Sequence, residues 1–368
     1  MICRFPDYEN CGLNVISSVA RYMKAPFRHR PLPALDRLLE AGRYRNVVLF
    51  LLDGMGMDAL AHDLPADSFF NTHIFRELSA VFPSTTTAAT TAIETDYAPS
   101  EHGWLGWSLY FHEIDRMVDV FPNRVSVTRE VAAPYHVGQT YLPLHPVFDR
   151  ITAAGYAKAA LISPFGDPKY PELSDIREAL ISGCREEGPH FFYAYWGDPD
   201  HTMHESGVYA DEVRKVLKEL EAYIQDLALT LPDDTLLLVT ADHGLIDVSH
   251  LYVTDHPELT ETLLRPTSVE PRATVFYVKP DRLADFPALF KEAFPEGFAL
   301  MTGEEFRLSG ILGPGEPTPK LKDLTGDFVA VSLTGACLDY APKESMLKGA
   351  HAGLTRLEMR VPLIAAKK

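Results

Sequence analysis

Apolar residues fall along this chain in two alternating rhythms. The segments NVVLFLL (46–52), HFFYAYW (190–196) and TLLLVT (235–240) are nearly unbroken apolar or aromatic runs. A strand with one solvated face alternates polar and apolar positions, so unbroken runs predict central strands of a parallel sheet, buried on both faces. In PVFDRITAAG, SDIREALISGC and the long VYADEVRKVLKELEAYIQDLALTLP, apolar positions recur at helical spacing instead. AKAALIS (157–163), VPLIAA (361–366) and the shorter LSAVF (78–82) predict further strands, 13–24 a short helix, and DGMGMDAL (53–60) a glycine turn into a helix. Strand and helix in alternation predict an α/β fold: a doubly wound, mostly parallel sheet flanked by helices.

The rhythm breaks twice. Between 96 and 145 the chain is irregular and rich in aromatics and proline, which predicts a long loop region covering one sheet edge, with RMVDVF (116–121) as a candidate strand. From about 255 to 345, RATVFYVKP, GFALMTGEEF and GDFVAVSL read as strands and LADFPALFKEAF as a helix, which predicts a small inserted α+β lobe. The expected organisation is an N-terminal extension (1–45), an α/β catalytic core (46–254 and 346–368) and the small lobe (255–345).

Composition narrows the function. The chain has 368 residues, 46% of them hydrophobic, and can bury a core without disulfide staples. Its four cysteines are scattered and form no CxxC pair, against a zinc ribbon or a redox motif. A net charge of −17 disfavours nucleic-acid polymers and anionic membranes as partners. It does not exclude a small anionic substrate, because bound dications reverse the local field. The N-terminal segment lacks the basic start and continuous apolar core of a secretion signal, and the apolar runs are too short to span a bilayer, so the expectation is a soluble, cytoplasmic protein. Oligomeric state is left open.

The candidate chemistry lies where the apolar runs end. NVVLFLLDG ends at Asp53, the segment after HFFYAYW carries Asp200 and His204, and TLLLVTADHG ends at Asp242 and His243. In open α/β sheets, ligands bind beyond the carboxyl ends of the strands. With His351 these residues make three carboxylates and three imidazoles, a mixture that zinc and similar ions accept. Six such ligands are too many for one tetrahedral ion and suit two neighbouring ions, an arrangement used in phosphoryl transfer. The run FPSTTTAATTA places Ser84, Thr85, Thr86 and Thr87 where a helix would start. They could be capping hydroxyls, or one could be a nucleophile at a helix N-terminus that also holds a phosphoryl oxygen.

Asp53-Gly54, FPSTTT with PSEHG (99–103), PDHTMHESG (199–207), ADHG (241–244) and GAHAG (349–353) occur in an order and spacing that resemble the nucleotide pyrophosphatase/type I phosphodiesterase branch of the alkaline phosphatase superfamily. The resemblance implies an alkaline phosphatase-like fold and two divalent metal ions, zinc foremost. Asp200, His204 and His351 would hold one ion, and Asp53, Asp242 and His243 the other. Thr86 would be the nucleophile and would also touch the metal, with Thr85 one position away as the alternative. It implies hydrolysis of phosphodiester or pyrophosphate bonds in small, nucleotide-like phosphoesters through a phosphothreonine intermediate. One departure stands out: nucleotide-cleaving members carry a phosphoryl-binding asparagine shortly after the SEHG-like segment, where this chain has Trp107. Trp104 and Trp107, with Tyr110 and Phe111, are candidates for a substrate-binding wall or for a packed loop. The alternatives are a phosphomonoesterase or phosphonate hydrolase of the same superfamily, or a non-catalytic metal- or ligand-binding homologue.

Overall fold

The computed structural model describes residues 2–343 and 345–367. Its central sheet has six strands in the order Ile74–Ser79, Arg360–Ala366, Thr235–Thr240, Asn46–Leu52, His190–Trp196, Lys158–Ile162. The last four are mutually parallel. Arg360–Ala366 runs antiparallel to both of its neighbours. Ile74–Ser79 therefore points the same way as the four parallel strands, and five strands present their carboxyl ends at one edge.

The apolar runs form these central strands because nothing polar has to face water. Every residue of Asn46–Leu52 and Thr235–Thr240 is buried. The helices Leu173–Arg185 and Asp211–Thr230 each bury one stripe, Ile176, Leu180, Ile181 and Cys184 in the first and Val213, Leu217, Leu220, Ile224 and Leu227 in the second. A fully buried side chain of this size contributes about 1.5–3 kcal/mol relative to exposure. This is the doubly wound, mostly parallel α/β core expected from the sequence. Among the described residues, no helix is long and apolar enough to cross a membrane.

The second sheet is antiparallel, in the order Phe298–Thr302, Phe328–Ser332, Ala273–Phe276, Ser268–Glu270, Ser108–Phe111, Arg116–Asp119, Arg124–Val125. It packs its own apolar cluster, with Phe276, Phe286, Phe290 and Phe328 at the centre. Three of its strands come from 108–125, inside the irregular stretch expected to be mostly loop; Arg116–Asp119 lies within the candidate strand RMVDVF, whereas the other two were not expected. The three are four, four and two residues long, too short for a period-two pattern to stand out between turns.

A buried ion pair joins the two sheets. Arg272, just before Ala273–Phe276, donates from Nε and Nη2 to the two carboxylate oxygens of Glu358 at 2.7 and 2.8 Å. Its remaining donors go to the Ala336 and Thr334 carbonyls. Glu358, just before the strand Arg360–Ala366 of the central sheet, also accepts from the Gly353 and Thr355 amides and the Thr355 hydroxyl. Both residues are 0% exposed, so neither charge can fall back on solvent. Arg272→Met leaves Glu358 buried without its counter-charge and is expected to lower unfolding free energy by roughly 3–5 kcal/mol. Urea unfolding followed by circular dichroism measures this, and an unchanged midpoint would show that the pair is dispensable.

Candidate metal centre

The turns after the parallel strands are held to one another by backbone bonds. The Asp53 amide donates to the Trp196 carbonyl, and the Asp200 amide donates to the Asp53 carbonyl, both at 3.0 Å. The Gly54 and His243 amides both donate to Asp242 Oδ1 at 3.0 Å. Gly54 takes a positive φ of 72°, and a side chain there would press on Asp200 and Leu245, so this crossing of turns requires glycine. The Gly244 amide reaches the Glu358 carbonyl at 2.9 Å, so Glu358 ties the Asp242-His243 turn as well as the loop that follows His351.

Two groups of potential ligands result: Asp53, Asp242 and His243, and Asp200, His204 and His351. Within each, the ligand atoms lie within 4.8 Å of one another. In the first, His243 Nε2 is 3.5 Å from Asp53 Oδ1 and 3.4 Å from Asp242 Oδ2, and all three residues are buried. In the second, His204 Nε2 is 3.1 Å from Asp200 Oδ2, and His351 Nε2 is 3.8 Å from Asp200 Oδ1. The groups adjoin, since the rings of His243 and His351 stack at 3.8 Å between centroids.

The donor atoms are prepared for cations. His204 Nδ1–H donates to the Gly349 carbonyl at 2.7 Å and His243 Nδ1–H to the Gly244 carbonyl at 3.2 Å, which turns each Nε2 inward as an acceptor. Asp242 Oδ2 and Asp200 Oδ1 are buried with no hydrogen-bond partner. Unpartnered carboxylate oxygens in such a place are costly unless a cation neutralises them. Burial, reinforced by the Asp242 and Asp200 carboxylates, pushes Asp53 well above the usual range. Burial also acts to raise Asp200, but the His204, His351 and His243 imidazoles outweigh it and hold that carboxyl below its ordinary value. Burial would lower His204, but Asp200 overrides it and raises the imidazole to about 9.

The threonine run begins a ten-residue helix, Thr86–Thr95, with Thr85 at the N-cap. Thr86 Oγ1 lies 3.4 and 3.3 Å from the Asp53 carboxylate oxygens and 3.2 Å from His243 Nε2. Thr85 Oγ1 instead donates to Glu270 Oε1 at 2.8 Å, so the geometry sets Thr86 and not its neighbour at the first ligand group. Ser84 joins the Thr85-Thr86 turn to the His351 loop: its hydroxyl donates to the Gly353 carbonyl, and its own carbonyl accepts from the Ala352 amide.

The aromatic wall needs correction. Trp104 is 1% exposed and its indole N–H is spent on the Leu142 carbonyl, so it packs in the core and lines no substrate surface. Tyr110 and Phe111 are likewise buried, whereas Trp107 is 44% exposed. His201, next to a ligand in sequence, points into solvent, and His250 is bonded to Asp339. Two residues at the site carry no sequence motif. Tyr195 donates its hydroxyl to Asp53 Oδ2, and Glu270 receives Thr85. Only Tyr195 left a signal, as a polar-tipped ring at the end of a strand that leads to ligands.

Comparison with known proteins adds the lineage. The sequence matches the type I phosphodiesterase/nucleotide pyrophosphatase family over residues 47–186 and 172–292. The match includes Asp53, Thr86, Asp200, His204, Asp242 and His243 and ends before His351, which the fold alone brings to the site. No curated protein matches the chain. Among solved structures, murine ectonucleotide pyrophosphatase/phosphodiesterase 5 superposes with a TM-score of 0.68 at 17% identity over 87% of each chain. An inactive variant of that murine protein with a threonine-to-alanine change, in complex with AMP, gives the same values. The human counterpart gives 0.67 at 16% identity, again over 87% of each chain. These likenesses show a shared fold.

Stability should report the cations. Without metal, the raised Asp53 favours the folded state only while protonated, and the raised His204 stabilises fully below its unfolded value and loses that contribution as pH rises through about 9. Metal binding requires both groups deprotonated. The gap in melting temperature between zinc-loaded and chelator-treated protein is therefore expected to widen from pH 6.5 to 9. Differential scanning fluorimetry measures it, and a gap that is absent or shrinks with pH would count against these ligands.

Proposed function

The chain belongs to the type I phosphodiesterase/nucleotide pyrophosphatase family of the alkaline phosphatase superfamily and is a hydrolase of that kind; from this premise we propose that it cleaves phosphodiester or pyrophosphate bonds of small, nucleotide-like substrates through a phosphothreonine on Thr86. The observation that carries the proposal is the position of Thr86 Oγ1, within 3.4 Å of both Asp53 and His243 and beside a second ligand group.

The family is metal-dependent, and the two groups fit divalent cations, zinc best given their mixture of imidazole and carboxylate. Asp53, Asp242 and His243 would hold one and Asp200, His204 and His351 the other. Bound there, the pair would lower the pKa of a coordinated hydroxyl and offset the charge of the phosphoryl oxygens. The chain supplies the rest. Thr86 Oγ1 bonds to phosphorus as the bond to the leaving oxygen breaks, and that oxygen departs with the electron pair. Water then attacks the phosphothreonine and restores the hydroxyl. Tyr195 fixes the Asp53 carboxylate through its own hydroxyl. The N-terminal end of the Thr86–Thr95 helix adds its positive dipole where phosphoryl charge collects.

Exposed aromatic rings support a ring-bearing substrate. Phe165 is 77% exposed with its ring 6.0 Å from that of Tyr195. Trp107 and Phe121 meet edge to face at 6.1 Å and are also exposed. Such faces stack planar groups at a gain of about 1–3 kcal/mol per base. The AMP bound to the murine structural relative agrees with a nucleotide-like group.

Thr86→Ala is expected to drop hydrolysis of bis-p-nitrophenyl phosphate to below about a thousandth of the parent rate while two cations stay bound. Activity near the parent level would move the nucleophile elsewhere. His351→Ala is expected to reduce bound zinc from two ions toward one per chain by elemental analysis. An unchanged stoichiometry would remove His351 from the ligand set.

A further inference from the structure

Glu270 stands beside the site without belonging to either ligand group. It closes the strand Ser268–Glu270 of the second sheet. Its Oε1 accepts from the Thr85 hydroxyl at 2.8 Å and from the Trp107 amide at 2.7 Å. Thr85 is the residue before the nucleophile. The same carboxylate lines a cavity of about 50 Å³ together with His204 and His351 of the second ligand group. One acidic side chain thus borders both the helix start that carries Thr86 and the imidazoles across from it.

Three observations set this carboxylate apart from a structural tie. Thr85 occupies the N-cap, where a threonine hydroxyl ordinarily accepts from the first helical turn, yet here it makes no capping bond and donates to Glu270. The preceding residue, Val269, has φ of 73°, a left-handed conformation that is costly for a β-branched side chain. Strain of that kind clusters at functional sites. The cavity is also short of free positive charge. Among the described residues no arginine lines it, and the lysine that does, Lys343, lies 3.4 Å from Asp339 Oδ1. Arg272, two residues from Glu270, is committed to Glu358.

We propose that Glu270 is a specificity-determining residue whose carboxylate disfavours dianionic phosphomonoesters relative to monoanionic phosphodiesters. The inference rests on the phosphoryl-transfer reading above. A phosphodiester brings one negative charge to the site and a monoester brings two at alkaline pH. Cations in the two ligand groups attract both, but the extra charge of the monoester meets Glu270 with no arginine to absorb it. Burial pushes the Glu270 carboxyl above its ordinary value, and the Trp107 and Thr85 donors into Oε1, with Lys343 and His204, oppose that push, so at the alkaline pH of the assay the charged carboxylate is the form that meets the substrate. A unit charge within several ångströms, at an effective dielectric of about 20, corresponds to a discrimination on the order of tenfold or more.

Glu270→Gln tests the charge, because the amide oxygen still accepts from Thr85 and Trp107. The zinc-loaded variant is expected to show a ratio of kcat/KM for bis-p-nitrophenyl phosphate over p-nitrophenyl phosphate about tenfold below the parent, carried mainly by a lower KM for the monoester. Glu270→Asp keeps the charge with weaker bonds to Thr85 and is expected to hold the parent ratio even if both rates fall. Inorganic phosphate, a dianion at pH 8, is expected to bind the zinc-loaded Gln variant about tenfold more tightly by calorimetry. A ratio and a phosphate affinity both within twofold of the parent, in a variant that retains two zinc ions, would overturn the proposal. Tighter phosphate binding with no hydrolysis by either protein would instead remove the catalytic reading and leave the charge effect standing.

Discussion

The structure is organised around an electrostatic conflict: Asp53, Asp200 and Asp242 converge at one sheet edge with no arginine or lysine paired to them among the described contacts. Burial and mutual repulsion push Asp53 toward its neutral form, and one oxygen each of Asp200 and Asp242 lacks a hydrogen-bond partner. A chain selected for stability alone would separate these groups or place a guanidinium among them, as Arg272 is placed on Glu358. Here three imidazoles surround the carboxylates instead, each a neutral donor atom when deprotonated. In the proposed two-cation reading, bound cations would resolve the conflict, and folding and metal binding would be linked through it.

What makes the convergence possible is the parallel sheet, which was legible in the sequence. Strands buried on both faces must be apolar throughout, so Asn46–Leu52, His190–Trp196 and Thr235–Thr240 announced themselves, and a polar residue after each had to lie at the carboxyl edge. His351 follows no such strand. It reaches the site on a loop before an antiparallel strand, and the sequence pointed to it only through resemblance. Of the short strands of 108–125 only Arg116–Asp119 was foreshadowed, by RMVDVF, and Trp104, close to two glycines, proved to be core. Glu270 left no trace at all, because its importance comes from a pairing between Ser268–Glu270 and its neighbours in a second sheet that no local pattern encodes.

That second sheet is more than an appendage to the core. The short stretch from 268 to 276 makes two connections to the site. Glu270 takes the Thr85 hydroxyl, and Arg272 takes the carboxylate of Glu358. Glu358 in turn holds the Gly353 amide near His351 and the Gly244 amide next to His243. The Thr85-Thr86 turn and the loops carrying His243 and His351 are therefore tied to the second sheet by two side chains of opposite sign, two positions apart at one hairpin turn.

The two acids in this arrangement carry their charge differently. Glu358 is fully compensated by Arg272 and four further donations, three of them to its carboxylate, so it acts as a rigid anchor and projects little field into the site. Glu270 receives only neutral hydrogen-bond donors, on one oxygen, and borders a cavity of about 50 Å³ shared with His204 and His351, so its field reaches that space. A compensated acid fixes geometry and an uncompensated one selects charge. The distinction follows from where the single nearby arginine is spent. Moving that guanidinium from Glu358 to the cavity would loosen both ligand turns and at the same time attract the dianions that Glu270 keeps at a disadvantage.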